Sequence, residues 1–263
     1  MTTKRKSHPI GVFDSGLGGL TVVRQINRLL PAEDVTFLAD QANLPYGEKS
    51  SAEISRLIKA AAPMLITEGA KVVVIACNSA SVSAIEELRL EYPETPFVGV
   101  IPAIKPAAER TKTGIIAVFA TRMTLDSPLY AELKETHASK VTVIDIPCPE
   151  WVGMVESGQF SAQKVKNPVE RALRAGADQL VLGCTHYPFL TDLLLQTTDG
   201  RAELLESGPS IARQVERILA ANESLAENRR GANRFLTSRH SERSSRVAST
   251  LLKRTVVFET VGH

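Results

Sequence analysis

The chain has 263 residues, with 31 Lys and Arg against 29 Asp and Glu, and 43% of its residues are hydrophobic. That length allows one large domain or two modest ones, with a sizeable core. The net charge of +2 argues against a dedicated nucleic-acid-binding protein and against a polyanionic scaffold.

The N-terminal segment is basic and short. MTTKRKSHP precedes only the apolar run IGVF, so the sequence predicts neither a signal peptide nor a membrane span, and nine residues are too few for an extra regulatory domain. The cysteines, Cys77, Cys148 and Cys184, form an odd and sparse set that is typical of a reducing compartment. We therefore expect a soluble cytoplasmic protein with free thiols.

Short apolar runs alternate with amphipathic stretches. Helical spacing is seen in SAEISRLIKAAAPMLITEG, where Leu57, Ala61 and Leu65 lie four residues apart, and in SVSAIEELRLEY. Apolar runs without interleaved polar residues are typical of strands buried on both faces, and their alternation with helices predicts parallel α/β sheets. These runs are IGVF at 10–13, VTFLA at 35–39, KVVVIA at 71–76, FVGVI at 97–101, GIIAVFA at 114–120, VTVIDI at 141–146 and QLVLG at 179–183.

Two breaks indicate how the chain divides into domains. YPETPFVGVIPAIKPA at 92–107 is rich in proline, and ESGPS follows at 206–210. If the chain crosses between domains at both breaks, residues 1–98 and 208–263 form one α/β domain and residues 99–207 form the other. A cleft between them is the natural ligand site.

One pattern occurs twice, 107 positions apart, as GAKVVVIACNSA and GADQLVLGCTHY. In each copy a cysteine, Cys77 or Cys184, follows a buried strand. Because ligands of open parallel sheets bind at the carboxyl ends of the strands, both thiols are placed on a functional edge. The short polar residues that follow are suited to capping a helix, whose free N–H groups attract anions and lower the pKa of a thiol.

Two facing thiols suit the inversion of a stereocentre. One base removes a proton as a thiolate, and the other, as a thiol, returns a proton to the opposite face of the carbon. The sequence therefore predicts two similar parallel-sheet α/β domains in a pseudo-two-fold relation, with the active site in the cleft between them. Cys148, in IPCPEW, lacks the repeated frame, and we expect it to be a packing residue.

The motif FDSGLGGL follows the first strand. Asp14 and Ser15 present an acid and a hydroxyl at the strand end, while Gly16, Gly18 and Gly19 allow a tight turn close to a ligand. The spacing is not that of the G-x-G-x-x-G dinucleotide fingerprint, so an acid for amine binding or proton transfer fits better.

Other site classes are weakly supported. The sequence has no C-x-x-C and no G-x-S-x-G motif, and Cys184 with His186 is too sparse a pair for a zinc site. A Cys–His hydrolase that uses Cys77 or Cys184 with His186 stays open as an alternative, but it leaves the second matched cysteine unexplained.

The segment from 228 to 254 is rich in basic residues and contains one acid, Glu242. A solvated helix face is favoured over a nucleic-acid site, because no interleaved aromatic residues and no known motif accompany the charges. The basic residues are Arg229, Arg230, Arg234, Arg239, Arg243, Arg246, Lys253 and Arg254.

Taken together, these motifs resemble those of the bacterial glutamate racemases, within the cofactor-independent aspartate/glutamate racemase superfamily. The resemblance spans almost the whole chain and implies two α/β domains that interconvert L- and D-glutamate without pyridoxal phosphate or a metal. The segments that carry it are IGVFDSGLGGLTV, DQANLPYGEKS, IACNSAS, GVIPAIKPA, FATRMTLDSPLY, GCTHYPFL and FLTSRHSERSSRVASTLL.

The resemblance also implies roles for single residues. Cys77 and Cys184 match the two catalytic bases. Asp14 matches the carboxylate that assists Cys77 and contacts the substrate amine. His186 matches the residue that assists Cys184. Glu156 matches the family's glutamate on the Cys184 side. The positions matched to substrate binding are Asp14, Ser15, Pro45, Tyr46, Gly47, Cys77, Asn78, Ser79, Cys184, Thr185 and His186.

Three departures from the family pattern stand out. Ser79 occupies a position where Thr is common, which keeps the hydroxyl but loses the stiffening β-branch. CPEWVGMVE is less apolar than the usual pattern around Glu156, and LLESG has Glu206 where Asp is usual. None of them removes a thiol.

By the same resemblance, the partner is a small-molecule substrate, the role is supply of D-glutamate for peptidoglycan, and a homodimer is common; no nucleic acid or membrane partner is expected. An aspartate or other amino-acid racemase is an alternative, because motifs at the α-carbon do not measure the length of the pocket. A catalytically silent binding or regulatory homologue is a further alternative, against which the intact Cys77, Cys184, Asp14 and His186 count.

Overall fold

The computed structural model describes residues 6–228 and 230–262, and its strands form two parallel sheets. The six-stranded sheet has the order β10-β9-β2-β1-β3-β4, from β1 (Ile10–Asp14), β2 (Val35–Ala39), β3 (Val72–Ile75), β4 (Phe97–Gly99), β9 (Asn233–Thr237) and β10 (Phe258–Thr260). The four-stranded sheet has the order β6-β5-β7-β8, from β5 (Ile115–Ala120), β6 (Thr142–Pro147), β7 (Gln179–Leu182) and β8 (Glu203–Glu206).

Helices connect the strands, as is usual for crossovers between parallel strands. They are α1 (Leu20–Leu29), α2 (Ser51–Thr67), α3 (Asn78–Glu91), α4 (Ile104–Arg110), α5 (Arg122–Leu125), α6 (Pro128–Ala138), α7 (Pro149–Ser157), α8 (Ala162–Arg174), α9 (Thr191–Thr198), α10 (Gly208–Ala221) and α11 (Ser241–Leu252). Short 3₁₀ turns lie at Tyr46–Glu48 and Tyr187–Leu190. Within the described ranges, no helix combines the length and apolar character needed to cross a membrane.

The two sheets repeat one topology. The order β2-β1-β3-β4 in the larger sheet is matched by β6-β5-β7-β8 in the smaller, which confirms the predicted pair of similar parallel-sheet units. Their registers also match, since Phe13 pairs with Ile75 and Phe119 pairs with Leu182. Cys77 and Cys184 therefore follow their strands at the same position in the two units.

Alternation along the central strands divides the core of the larger sheet. Ile10 and Val12 face a cluster built with α1 and α10, whereas Phe13 and Ile75 face a cluster built with α2 and α3. Successive side chains of a strand point to opposite faces, so a continuous apolar run can fill both clusters.

Three expectations need correction. VTVIDI forms β6 at the edge of its sheet, where it is half-buried rather than covered on both faces. On α2 the buried stripe passes through Ile54 and Ile58, and Leu57 lies at its margin. The apolar-run criterion missed β8, β9 and β10, because their short segments carry charged residues.

The basic C-terminal segment is only partly a helix. Arg234 lies in β9, and its guanidinium forms ion pairs with Glu68 and Glu259, so the expectation of one solvated helix face is wrong for this part. Arg243 and Arg246 do lie on the exposed face of α11. Arg229 and most of the basic N-terminal segment, residues 1–5, lie outside the described residues.

The predicted domain boundaries at 98/99 and 207/208 stay predictions. The larger sheet includes β4, which ends at Gly99, and the smaller sheet ends with β8 at Glu206. After β8 the chain returns to the larger sheet, because α10 packs against α1 and β9 pairs with β2.

A buried ion pair fastens the returning chain. Lys71 Nζ lies 2.6 Å from Glu33 Oε2, with side chains only 2% and 1% exposed. Lys71 Nζ also donates to the Ser224 carbonyl at 2.7 Å, and Glu33 Oε1 accepts from the Ala226 N–H at 2.8 Å. The segment that leads from α10 to β9 is thus held to both the loop before β2 and the start of β3.

Removing one partner of this pair leaves a buried charge without compensation. We expect Lys71→Met to lower the free energy of unfolding by about 3 kcal/mol in urea titrations. Lys59→Met, which removes the exposed pair with Glu87, is the matched control and should cost about 1 kcal/mol or less. Equal small losses in the two variants would contradict the structural importance of the Lys71 pair.

Candidate active site

A cavity of about 330 Å³ lies where the carboxyl ends of the two sheets meet. Each sheet contributes one thiol to it, Cys77 after β3 and Cys184 after β7. Within the described residues its lining contains no lysine or arginine: Ser15, Leu44, Pro45, Tyr46, Gly47, Glu48, Cys77, Asn78, Ser79, Thr121, Pro149, Glu150, Val152, Gly153, Cys184, Thr185 and His186.

On the first side, Cys77 is the N-cap residue of α3, and its Sγ lies 3.6 Å from Ser15 Oγ. Burial and the negative charge of Asp14 raise the pKa of the Cys77 thiol to about 12, although hydrogen bonds with Ser15 and the Ala80 N–H oppose this. A thiolate at this position is a strong base.

The N-terminus of α3 lies at the cavity. Asn78 and Ser79 begin the helix and line the cavity wall, and the unsatisfied N–H groups of a first helical turn attract anions. Asn78 Oδ1 is buried and has no hydrogen-bond partner in the described part of the chain. A buried amide oxygen without a partner is rare, so this group is available to a ligand.

On the second side, Cys184 Sγ lies 3.6 Å from His186 Nδ1, and His186 Nε2 lies 2.6 Å from Glu156 Oε1. Burial disfavours the imidazolium, but hydrogen bonds to Cys184 and Glu156 raise the pKa of His186 well above its ordinary value. Burial likewise opposes ionisation of Glu156, yet the bond and charge of His186 hold the pKa of this carboxyl below its usual range. The result is a buried imidazolium–carboxylate pair behind one thiol.

The segment after Cys184 differs from the prediction. No α-helix begins there, because His186 precedes a four-residue 3₁₀ turn at Tyr187–Leu190. Of the two cavity thiols, only Cys77 therefore lies at a helix N-terminus, and there burial and the charge of Asp14 outweigh its hydrogen bond, so the expected lowering of the thiol pKa is wrong. On the second side the charged partner of the thiol is His186.

Asp14 lies between the two units. Its Oδ1 accepts from the Gly16 N–H at 2.8 Å, and its Oδ2 accepts from Thr185 Oγ1 at 2.9 Å. Burial raises the pKa of Asp14 to about 6, against the lowering effects of the His186 charge and of these two hydrogen bonds. Asp14 and Glu156 are buried behind the described cavity lining, and the hydroxyl that touches Cys77 is that of Ser15.

The glycines of FDSGLGGL permit close approach between the two units, whereas the sequence predicts a tight turn close to a ligand. A Cβ at Gly16 would overlap the carboxylate of Glu156, and one at Gly18 would overlap His186 and Thr185. The Leu17 N–H, between them, donates to Glu156 Oε1 at 2.6 Å. Glycines in this turn therefore allow side chains of the smaller-sheet unit to pack directly against the backbone that follows β1.

Sequence reasoning missed the hydroxyls of Thr121 and Thr124. Thr121 Oγ1 lies 2.9 Å from Ser79 Oγ and 3.1 Å from Thr124 Oγ1, and Thr121 lines the cavity. A signal was present, because IAVFAT at 116–121 repeats IGVFDS at 10–15, and the shared register equates Thr121 with Ser15.

Cys148 stands apart from the other thiols. Its Sγ contacts the Ile146 carbonyl at 3.6 Å, and burial raises its pKa to about 12. It packs in the core of the smaller sheet with Trp151, which agrees with a packing role. In the described part of the chain, no group of three or more His, Cys, Asp or Glu side chains is placed to hold a metal ion.

Comparison with known proteins defines the family. The model of the Asp/Glu/hydantoin racemase family matches residues 10–215. The chain belongs to the Asp/Glu/hydantoin racemase family. It is 42% identical over 250 residues to a glutamate racemase of Pseudomonas putida, a match that covers 94% of each chain.

Solved structures of the family agree over the full fold. A glutamate racemase isoform from Bacillus anthracis superposes with a TM-score of 0.88 at 30% identity, covering 97% of this chain and 98% of that one. Escherichia coli glutamate racemase, in complex with L-glutamate and the activator UDP-MurNAc-Ala, gives a TM-score of 0.85 at 32% identity, with the same coverage. The chain is therefore an isomerase of the racemase type.

Thr185 and Asp14 provide a test of the electrostatics of the site. We expect the Asp14 carboxyl to titrate near pH 6, because burial raises its pKa to about 6. Thr185→Val removes a donor from the carboxylate, so the pKa of Asp14 should rise further, by about one unit. Carboxyl ¹³C NMR titration measures both values, with assignment by Asp14→Asn. Titration of the wild-type group near pH 4 would contradict this description.

Proposed function

We propose that the protein interconverts L- and D-glutamate by two-base proton transfer at Cα, with Cys77 and Cys184 as the bases and without a cofactor. The observation that carries the proposal is the contribution of one thiol to a single cavity from each of two matched strand ends. The relatives and the structural neighbours named above are glutamate racemases, and one of those neighbours binds L-glutamate.

Binding of the substrate rests on neutral donors. With no lysine or arginine in the described lining, the substrate carboxylates are bound by the N-terminus of α3 and by hydroxyl and amide groups. Ser15, Asn78, Ser79 and Thr185 supply these groups, and Pro45, Tyr46 and Gly47 also line the cavity. Asn78 Oδ1, which has no hydrogen-bond partner among the described residues, is suited to accept from the ammonium group.

The reaction moves one proton off Cα and another onto it. A thiolate on one face takes the α-proton and becomes a thiol, while the thiol on the other face gives its proton to the carbanion and becomes a thiolate. The raised pKa of Cys77 makes its thiolate basic enough to act on a weakly acidic C–H bond. Product release leaves the two cysteines in the protonation states that the opposite enantiomer requires.

The two bases have different assistants. Ser15 contacts Cys77, and Asp14 behind it both assists that thiol and attracts the substrate ammonium. His186 contacts Cys184, and Glu156 stabilises the imidazolium. Charges fixed in place before the reaction stabilise the developing carbanion without reorganisation.

A racemase for aspartate or another amino acid is the second candidate. The shared site chemistry at Cα suits both substrates, and the ratio of kcat/KM for glutamate to that for aspartate and glutamine distinguishes them. A silent binding homologue would change the optical rotation of none of these amino acids. By resemblance we further propose a role in peptidoglycan precursor supply, a cytoplasmic location and a homodimer.

Cysteine variants test the assignment of the bases. Cys77→Ser and Cys184→Ser should each lower racemisation by about 1,000-fold or more, because a serine hydroxyl is a far weaker acid than a thiol. Circular dichroism follows the loss of optical activity of L- or D-glutamate. Cys148→Ala, outside the described cavity lining, is the matched control and should keep most of the activity.

Elimination from a β-chloro analogue separates the two faces. Loss of the α-proton with departure of chloride needs only one base, so each serine variant should retain elimination from one enantiomer and lose it from the other. If either variant racemises glutamate at the wild-type rate, the two-base proposal is wrong.

A further inference from the structure

Gln41, in the loop after β2, contacts the pair behind Cys184. Its Nε2 donates to Glu156 Oε2 at 2.8 Å. Gln41 belongs to the unit that carries Cys77, whereas Glu156 lies on α7 in the unit that carries Cys184. The bond therefore links one unit to the acid–base group of the other.

This bond completes the hydrogen bonding of a buried carboxylate. Glu156 Oε1 accepts from the Leu17 N–H and faces His186 Nε2, both at 2.6 Å, and Oε2 accepts from Gln41. A buried charge that lacks a donor is costly, and hydrogen bonds to the ionised form of a carboxyl lower its pKa. Without Gln41, the Glu156–His186 pair holds its protons more tightly.

The loop that carries Gln41 is itself fixed. Asp40, the preceding residue, accepts from Tyr46 Oη at 2.7 Å and from Ser238 Oγ at 2.8 Å, and Asn43 Nδ2 donates to the same carboxylate. Tyr46 lines the cavity. The Gln41 amide is thus held toward Glu156 by the same contacts that place the wall of the cavity.

We propose that Gln41 is a positioning residue that orients Glu156 and, through it, sets His186 for proton transfer at Cys184. The inference rests on the proposed two-base function. It assigns Gln41 to the Cys184 side only, although the residue comes from the unit of Cys77.

The charges around Glu156 come from both units. Among the described residues, the titratable groups that influence it include His186, which follows β7, and Asp14 at the end of β1, with Cys184 beyond the imidazole. Asp14 lies on the Cys77 side. Separate measurements of proton removal by Cys77 and by Cys184 therefore distinguish an effect of Gln41 through Glu156 from an effect through Asp14.

Gln41→Met keeps the length of the side chain and removes the donor. We expect elimination from the β-chloro enantiomer that Cys184 deprotonates to fall about 3- to 10-fold at neutral pH. The acid limb of the pH profile for this elimination should move upward by about one pH unit, because Glu156 loses one hydrogen bond to its charged carboxylate. Elimination from the opposite enantiomer should stay within about 2-fold of wild type, because Cys77 does not use His186.

A matched control is present in the same interface. Gln25 Nε2 donates to Glu206 Oε1 at 2.8 Å, which is also a bond from the larger-sheet unit to the smaller, but outside the described cavity lining. Gln25→Met should leave elimination from both enantiomers unchanged. In the Glu156→Gln background, Gln41→Met should add no further loss, because the carboxylate through which Gln41 acts is gone.

A second variant, Gln41→Glu, and an NMR titration of His186 test the role of Gln41 further, and the titration does not depend on turnover. Gln41→Glu places a like charge beside Glu156 and should shift the acid limb further than Gln41→Met. In ¹⁵N-histidine-labelled protein, assigned by His186→Asn, the pKa of the His186 imidazole should rise in Gln41→Met relative to wild type.

Equal losses on both faces, or an unchanged His186 titration together with an unchanged acid limb, would overturn the role of Gln41. If the proposed function itself is wrong, the result differs from failure of the Gln41 role, because the wild-type protein then does not racemise glutamate. The NMR titration then still decides whether Gln41 controls His186.

Discussion

The site depends on the hydrogen bonds that the buried carboxylate of Asp14 accepts from both units. One oxygen is held by the turn that follows its own strand, and the other by Thr185 of the opposite unit, next to Cys184. Thr21 adds a second link, because its hydroxyl donates to the Thr185 carbonyl at 3.0 Å. These bonds bring the carboxyl ends of β1 and β7 together, and so the two thiols face one cavity.

The repeated strand ends diverge in their chemistry. Matched registers equate Asp14 with Ala120 and Ser79 with His186, so each unit keeps one charged group that the other lacks. A buried acid with a raised pKa lies near Cys77, and an imidazolium–carboxylate pair lies near Cys184. A duplicated scaffold therefore supplies symmetric placement of the thiols, while single substitutions give each thiol its own electrostatic environment.

Structural features that depend on a short stretch of sequence could be predicted, whereas those that depend on contacts between distant residues could not. The matched frames around Cys77 and Cys184 predicted two parallel sheets with thiols at equivalent ends, because strand burial and strand ends are local patterns. The bond from Gln41 to Glu156 joins residues 115 positions apart and leaves no local pattern. Strands β8 to β10 were missed because their charged residues interrupt the apolar runs, and their pairing is set by neighbours distant in sequence.

Racemisation of L-glutamate in D₂O, without added cofactor, tests the two-base mechanism most directly. The measurement is the deuterium content at Cα of both enantiomers at early times. If separate thiols act on the two faces, the D-glutamate formed carries deuterium from the outset, while the remaining L-glutamate keeps its proton, because its own face is not reprotonated from solvent. Deuterium in recovered L-glutamate at the rate of product formation, or protium retained in the D-glutamate, would show a single base and contradict the assignment of Cys77 and Cys184.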